Sequence, residues 1–105
     1  MNESEFNALA DQMLDRIEAA LDRCDADLDC SRSADSVLEI EFDDGGKIIV
    51  NRHIAAQEIW VAARSGGFHF RWDGAVWRDT RDASELTEAL ARLVLAQSGE
   101  AVSFD

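Results

Sequence analysis

The residues best suited to chemistry in this chain are carboxylates near its N-terminus. At about 100° per residue, the chain from Phe6 to Asp25 places apolar and acidic side chains on opposite faces of one helix. The apolar face comprises Phe6, Leu9, Met13, Ile17, Ala20, Leu21 and Cys24. The acidic stripe comprises Asp11, Asp15, Glu18, Asp22 and Asp25, and Asp27 and Asp29 extend it beyond the helix. One face predicts a core contact, and the other predicts a surface that attracts positive charge.

Repulsion along this acidic stripe is the reason to expect a ligand. Carboxylates four residues apart on a helix repel by roughly 0.2 to 0.5 kcal/mol per pair. The pairs Asp11/Asp15 and Glu18/Asp22 have no Lys or Arg on the stripe to relieve them. The stripe therefore indicates either metal cations or a basic protein surface as its ligand. An ordinary solvated face of an acidic helix is a third interpretation, and this stretch alone does not separate the three.

Carboxylate oxygens define which cations would bind. They suit Ca²⁺, Mg²⁺, Mn²⁺ and ferric iron, with ferrous iron also accessible, and no imidazole or thiolate lies on the stripe to select a softer metal. Side chains on one convex helix face cannot surround an ion. Two or three oxygens completed by water predict weak, reversible and poorly selective binding.

The other reactive residue types form no catalytic pattern. The chain has no nucleophile elbow, phosphate-binding glycine loop, HExxH or dinucleotide fingerprint. His53 and His69 fall in different predicted elements and have no second ligand at a useful spacing. Cys24 and Cys30 are too few and wrongly spaced for a zinc site or a CxxC pair, so we expect two structural, reduced thiols.

Composition excludes several classes of protein. The 105 residues, 47% hydrophobic and 30% charged, predict one globular domain spanning residues 1–105. No apolar run approaches the roughly 20 residues that span a bilayer, and no targeting segment is recognisable, so we expect a cytoplasmic protein. A net charge of -12 argues against nucleic acid and anionic membranes as partners. Acids concentrate before residue 47, whereas residues 47 to 81 are mildly basic.

The elements that position these residues follow from periodicity. A helix is expected from about Ser4 to Cys24, capped by Asn2 or Ser4, and a second helix is expected after a capping box formed by Asp82 and Glu85, ending at Gly99. Alternating apolar residues separated by glycine turns predict the strands between them. The expected strands are 37–42, 47–51, 58–64, 68–72 and 75–78, with Cys30 near the start of a further one.

This order predicts an α+β fold, a two-layer α-β sandwich. Its two terminal helices pack on one face of an antiparallel sheet of five to six strands, and the other face is open to solvent. Val102 and Phe104 are expected to pack against the second helix. Alternation in 58–64 directs Trp60 to the open face, where an indole is either a partner anchor or is shielded by long side chains such as Arg52 or Arg71.

The chain resembles the frataxin family, in its bacterial CyaY branch, over nearly its full length. The opening NESEFNALADQMLDRIEAALD, the LDC of residues 28–30 and the hairpin VLEIEFDDGGKIIVNR carry the resemblance. Its most specific signature is Asn51-Arg52, followed after seven residues by Trp60 in EIWVAARSGGFHF.

The resemblance implies a frataxin-like fold with an acidic ridge on the first helix and first strand. It implies weak, reversible binding of iron (Fe²⁺ or Fe³⁺), for which other hard cations can substitute. It also implies binding to the cysteine desulfurase and the iron-sulfur scaffold protein, by a monomer or by iron-dependent oligomers. By position, the ridge residues are Glu18, Asp22, Asp25, Asp27 and Asp29, and the residues of the open sheet face are Asn51 and Trp60. Partner binding is expected at Glu18, Asp22, Asp25, Asn51 and Trp60.

The chain departs from the family pattern at four positions. Ala55 stands where a proline is common, and Glu58 stands where a glutamine precedes the aliphatic-Trp pair. Ala19 and Arg23 stand where close relatives often carry acids, which predicts a lower charge density on the ridge.

Three functions are compatible with these residues. The first is a non-enzymatic iron-binding regulator of iron-sulfur cluster assembly. The second is a ferroxidase or iron-storage protein, which would need carboxylates that hold two irons close together, whereas a convex stripe offers no enclosed cage. The third is an acidic module that binds protein only and for which metal is incidental.

Overall fold

A computed structural model describes residues 1–24, 27–33 and 37–104. In chain order, one helix precedes six strands and a second helix follows them. The elements are α1 (Glu3–Arg23), β1 (Leu28–Arg32), β2 (Val37–Phe42), β3 (Lys47–His53), β4 (Glu58–Ala63), β5 (Gly66–Trp72), β6 (Trp77–Asp79) and α2 (Leu86–Ser98). The predicted fold class, two helices on an antiparallel sheet, is confirmed.

Helix α1 begins with a capping box. The backbone N–H of Glu5 donates to Oδ1 of Asn2 at 2.8 Å, and the Glu5 side chain accepts from the Asn2 backbone N–H. These two bonds satisfy amides that have no partner within the helix. The acids at Glu3 and Glu5 also lie at the positive end of the helix dipole.

The apolar face predicted for α1 packs against the core, but the prediction left out Ala10 and Leu14. Ala10 and Leu14 are fully buried, whereas Leu9 and Met13 are only partly buried at the margin of the core. The centre of the buried stripe therefore runs through Ala10 and Leu14, with Leu9 and Met13 along its edge. The buried residues of α1 are Phe6, Ala10, Leu14, Ile17, Ala20 and Leu21.

The sheet is a simple meander in the order β1-β2-β3-β4-β5-β6, and every neighbouring pair is antiparallel. The predicted turn at 43–46 is confirmed: Gly45 has a φ of 87°, and the backbone N–H of Gly46 donates to Oδ1 of Asp44 at 2.8 Å. A left-handed φ favours glycine because it has no Cβ.

One face of the sheet forms the core and the other is open. Side chains alternate along each strand, so every second residue faces the helices. The core residues of β2 to β6 are Leu38, Ile40, Phe42, Ile48, Val50, Ile59, Val61, Phe70 and Trp77. Residues of the opposite parity, including Asn51 and Trp60, lie on the open face.

Helix α2 does not begin as predicted. Its N-cap is Glu85, which makes no side-chain capping bond, and Oδ1 of Asp82 instead accepts from the Ser84 backbone at 2.9 Å. Asp82 therefore stabilises the preceding turn and not the helix. The end of α2 is as predicted, at Gly99 with a φ of 78°. Val102 and Phe104 are buried, and they contact α1, whereas the prediction named α2: Nε of Arg16 donates to the Phe104 carbonyl at 2.7 Å, and Val102 lines a cavity with Ala20 of α1.

Within residues 1–24, 27–33 and 37–104, no helix combines the length and apolar content needed to cross a bilayer.

Candidate functional site

The acidic stripe of α1 lies beside the edge strand β1. The register pairs Cys30 with Ile40 and Arg32 with Leu38, and both partners face the core. Cys30 and Arg32 therefore face the helix layer, while Asp29 and Ser31 face the opposite side. This alternation brings the guanidinium of Arg32 from the sheet to the carboxylates of α1.

Arg32 contacts three carboxylates of the stripe. Its Nη1 donates to Oδ1 of Asp15 and lies 3.7 Å from Oε1 of Glu18, and its Nη2 lies 3.6 Å from Oδ1 of Asp11. The hydrogen bond to Asp15 is the main reason that the pKa of Arg32 is raised. Asp11 also accepts from Nη1 of Arg52 at 2.7 Å. The expectation that Asp11 and Asp15 repel without relief was wrong, because strands distant in sequence supply the cations.

The C-terminal end of the stripe, which we define as Glu18 and Asp22, has a different environment. Asp22 is exposed and makes no ion pair with any described residue, and Glu18 has only the long contact to Arg32. Both carboxylates act on Cys30. Burial, and then the charges of Glu18, Asp22 and Cys24, raise the pKa of Cys30 to about 11. Negative charge is therefore concentrated beside the middle of β1.

The remaining predicted ligands do not continue this stripe. Asp29 is exposed on the open face of the sheet, opposite Glu41 in the register. Asp27 precedes β1 and lines a cavity of about 230 Å³ together with Asp43 and Asp44. Asp25 lies outside the described residues. The structure thus brings Asp11, Asp15 and Glu18 together around Arg32 and places Asp27 and Asp29 elsewhere around the same edge.

The donor set determines what cation chemistry is available. In the part of the chain that the structure describes, no three His, Cys, Asp or Glu side chains converge to hold an ion. Glu18 and Asp22 lie one helical turn apart, so each can give one oxygen to a hydrated cation. Such a set fits weak and exchangeable binding of a hard cation, with most ligands supplied by water.

Trp60 occupies the centre of the open face, between two histidines. The indole stacks on His53 with ring centroids 3.9 Å apart and on His69 with centroids 4.4 Å apart, and both pairs are nearly parallel. The two histidines belong to different elements, as predicted, and they meet at Trp60 because β3 and β5 flank β4. Asn51, the cross-strand partner of Trp60, is half-buried and donates from Nδ2 to the carbonyl of Arg52 at 3.3 Å.

Glu58 lies two residues before Trp60 on β4 and is hydrogen-bonded to the indole. Its Oε1 accepts from Nε1 of Trp60 at 2.8 Å, and its Oε2 accepts from Nη2 of Arg71 at 2.8 Å. Burial raises the pKa of Glu58, but these two bonds and the charge of Arg71 together hold that pKa below its ordinary value. The indole is shielded by imidazoles, and not by the long side chain of Arg52, which extends to α1.

Comparison with known proteins identifies the family. Residues 1–100 match the family model described as a frataxin-like domain. The iron-sulfur cluster assembly protein CyaY of Dechloromonas aromatica is 67% identical over 102 residues, covering 97% of each chain. The chain belongs to the frataxin family. Another similar frataxin-family protein, the iron-sulfur cluster assembly protein CyaY of Cupriavidus taiwanensis, is 53% identical over 99% of this chain and 96% of its own.

Solved frataxins have the same architecture. The frataxin of Psychromonas ingrahamii matches with a TM-score of 0.93 at 33% identity, covering 100% of this chain and 99% of that chain. A frataxin of the yeast Saccharomyces cerevisiae matches with a TM-score of 0.67 at 24% identity, covering 91% and 80% of the two chains, and supports the fold alone.

Sequence reasoning missed five residues of these surfaces in this frataxin. Arg32 and Arg52 were not recognised as counter-ions of α1. Glu58, His53 and His69 were not recognised as neighbours of Trp60. A signal was available for the open face, because strand parity places His69 on the side opposite Phe68 and Phe70. No signal was available for Arg32, because its contacts depend on how α1 lies across the sheet.

Proposed function

We propose that this frataxin-family chain is a non-enzymatic, iron-binding regulator of iron-sulfur cluster assembly that acts by binding the cysteine desulfurase and its scaffold protein. The observation that carries the proposal is the similarity to relatives named as iron-sulfur cluster assembly proteins, at 67% and 53% identity over nearly the whole chain. Such similarity supports a shared process. The acidic stripe of α1 and the open face of the sheet are the two surfaces through which we propose that the chain takes part in this process.

Iron is proposed to bind at the C-terminal end of the stripe. Arg32 already neutralises Asp15 and, with Arg52, Asp11. Asp22 has no such counter-ion among the described residues, so its carboxylate attracts an external cation more strongly than those of Asp11 and Asp15 do. Glu18 and Asp22 supply hard oxygen ligands for Fe²⁺ or Fe³⁺, and other hard cations compete for the same oxygens.

The same carboxylates are proposed to dock on a basic surface of the desulfurase, because opposite charges steer association. Trp60 and Asn51 on the open face form the second proposed contact. A net charge of -12 is unsuited to nucleic acid or anionic membranes, so a protein partner is the better match. We propose that the chain works as a monomer in the cytoplasm.

The test is retention of the desulfurase from a cell extract by the tagged chain. The desulfurase is recognisable by its pyridoxal phosphate absorbance. We expect the wild-type chain to retain the enzyme and the variant Glu18→Lys/Asp22→Lys to lose it. Circular dichroism should stay native, because Asp22 is exposed and Glu18 lies at the edge of the core.

A matched control reverses the same number of charges elsewhere. Glu88 and Glu100 are exposed, and the side chain of neither makes an ion pair with a described residue, so Glu88→Lys/Glu100→Lys changes net charge equally. That control should retain the desulfurase. Equal retention by both double variants and the wild type would mean that the stripe is not the docking surface.

A further inference from the structure

Both faces of the Trp60 indole are covered within the chain itself. The ring of His53 lies 3.9 Å from it at an interplanar angle of 7°, and the ring of His69 lies 4.4 Å away at 10° on the other side. Stacked aromatic pairs are worth about 0.5 to 1.5 kcal/mol beyond the area that they bury. A partner therefore cannot stack on a face of the indole without displacing an imidazole.

The polar atom of the indole is also occupied. Nε1 of Trp60 donates to Oε1 of Glu58 at 2.8 Å. Glu58 is only 7% exposed, although it lies on the open face of the sheet. A carboxylate that is this buried needs hydrogen bonds to both oxygens, and Arg71 provides the second one at 2.8 Å. Both carboxylate oxygens of Glu58 are thus held by hydrogen bonds.

The two imidazoles are held by neighbours in turn. Nδ1 of His53 accepts from the backbone N–H of Ala56 at 3.2 Å, which ties the ring to the turn between β3 and β4. Nδ1 of His69 lies 3.7 Å from Oε1 of Glu58. Each component of the stack contacts a residue outside it, so the indole has one orientation before any partner arrives.

We propose that Glu58 is the positioning residue of the partner-binding face: with His53 and His69 it fixes Trp60 so that the edge of the indole meets the desulfurase. This inference rests on the proposed function, since it requires that the open face binds that partner. Preorganisation of this kind improves affinity because the side chain loses no further rotamer freedom on binding. The desulfurase then contacts the edges of the three stacked rings, His53, Trp60 and His69, together. The indole is not inserted alone into a pocket of the partner.

The experiment compares three variants by their affinity for the purified desulfurase. Glu58→Gln keeps an oxygen that can accept from Nε1 of Trp60, whereas Glu58→Ala removes it. Trp60→Phe keeps a ring between the histidines and removes the donor. Loss of one charge-assisted hydrogen bond corresponds to roughly a tenfold effect. We expect Glu58→Ala and Trp60→Phe to weaken binding about tenfold and Glu58→Gln to stay within about threefold of wild type.

A control and a spectroscopic signature separate positioning from folding. Glu39 is another carboxylate of the open face, paired with Lys47 at 2.8 Å, so Glu39→Ala removes a similar charge away from the stack and should bind as wild type. In ¹H–¹⁵N spectra the chain gives three indole signals, one for each tryptophan. Glu58→Ala should shift the Trp60 signal alone, and Glu58→Gln should largely restore it.

The double variant Glu58→Ala/Trp60→Phe completes the test. If the two residues act through one bond, the double variant binds no more weakly than either single variant. Wild-type affinity of Glu58→Ala, additive losses in the double variant, or an unmoved Trp60 signal would each overturn the positioning role. If Trp60→Arg also binds as wild type, then the open face is not a partner surface and that part of the proposed function fails instead.

Discussion

Arg32 of β1 donates from Nη1 to Oδ1 of Asp15 on α1, so the chain supplies its own cation to the N-terminal half of the acidic stripe. The side chain of Arg32 is 20% exposed, whereas that of Asp15 is 70% exposed. An ion pair with one well-solvated partner contributes modestly to folding, but it still occupies carboxylates that an external cation would otherwise use. Arg32 therefore divides the stripe into two halves. The charges of Asp11 and Asp15 are neutralised within the chain, whereas Glu18 and Asp22 remain available to an external cation.

The first prediction concerns removal of this internal cation. Arg32→Gln should lower the melting temperature by about 2 to 5 °C in low salt, because Asp15 and Glu18 lose the cation that pairs with them and Asp11 keeps only Arg52. Added Ca²⁺ or Mn²⁺ should raise the melting temperature of the variant more than that of the wild type, because a third carboxylate group becomes available. Differential scanning fluorimetry with and without metal measures both effects.

Arg64→Gln is the matched control for that experiment. Arg64 pairs with Asp44 at 3.3 Å, on the turn between β2 and β3, and its removal changes the net charge equally. An equal metal effect in the two variants would show that general charge, and not the site around Arg32, determines cation binding.

The second prediction concerns the available half. Divalent and trivalent cations should stabilise the wild-type chain, because a ligand bound only to the folded state adds to the free energy of unfolding. Glu18→Gln/Asp22→Asn should raise the melting temperature in low salt and reduce the further gain from metal. A metal effect of undiminished size in this double variant would place the cation elsewhere.

The third prediction concerns the cost of removing the half-buried Trp60 side chain. An exposed side chain usually tolerates substitution within about 0.5 kcal/mol. The stacking on His53 and His69 and the bond to Glu58 make Trp60→Ala more costly, at about 1 to 3 kcal/mol. Urea denaturation measures the free energy of unfolding. A cost near zero would mean that the stack does not persist in solution.

The fourth prediction concerns the pH dependence of stability from Cys30. Its pKa rises from 9.0 to about 11 on folding, so between these pH values the unfolded thiol ionises while the folded thiol stays protonated. The free energy of unfolding should therefore fall as the pH rises from about 9 to 11. Cys30→Ser should show a smaller fall than the wild type in urea denaturation at pH 8 and pH 10.

The reactivity of the same thiol reports on the stripe. The thiolate is the reactive form, so Cys30 should react slowly with iodoacetamide at pH 8.5 in a Cys24→Ser background. Adding Glu18→Gln/Asp22→Asn should accelerate the reaction several-fold, because the charges that disfavour the thiolate are gone. Glu88→Gln is the control and should leave the rate unchanged.

The fifth prediction concerns the rate of association with the desulfurase. Charges steer association over about 8 Å at physiological ionic strength, so the rate should fall steeply as salt is raised. Stopped-flow measurements at several salt concentrations give the slope. Glu18→Gln/Asp22→Asn should flatten the slope, whereas Glu58→Gln should not, since Glu58 is already neutralised by Arg71. An association rate indifferent to salt would favour docking through the open face alone.

Much of the fold was determined by local sequence. The capping side chain of Asn2, the glycine turn at 43–46, the alternation in 37–42 and the glycine after α2 each act over a few residues, and the structure confirms them. The alternation of side chains along β4 also places Trp60 on the open face, because successive side chains of a strand point to opposite sides.

Contacts between distant elements were decided only by the tertiary structure. The burial of Leu14 and the ion pairs of Arg32 and Arg52 with α1 depend on how the helix lies on the sheet. The separation of Asp29 from the stripe depends on the register of β1 with β2. The stack on Trp60 likewise requires the register of β3, β4 and β5, which brings His53 and His69 from opposite sides. Sequence periodicity describes one element at a time, so it fixes which face a residue occupies but not which charge or ring it meets there.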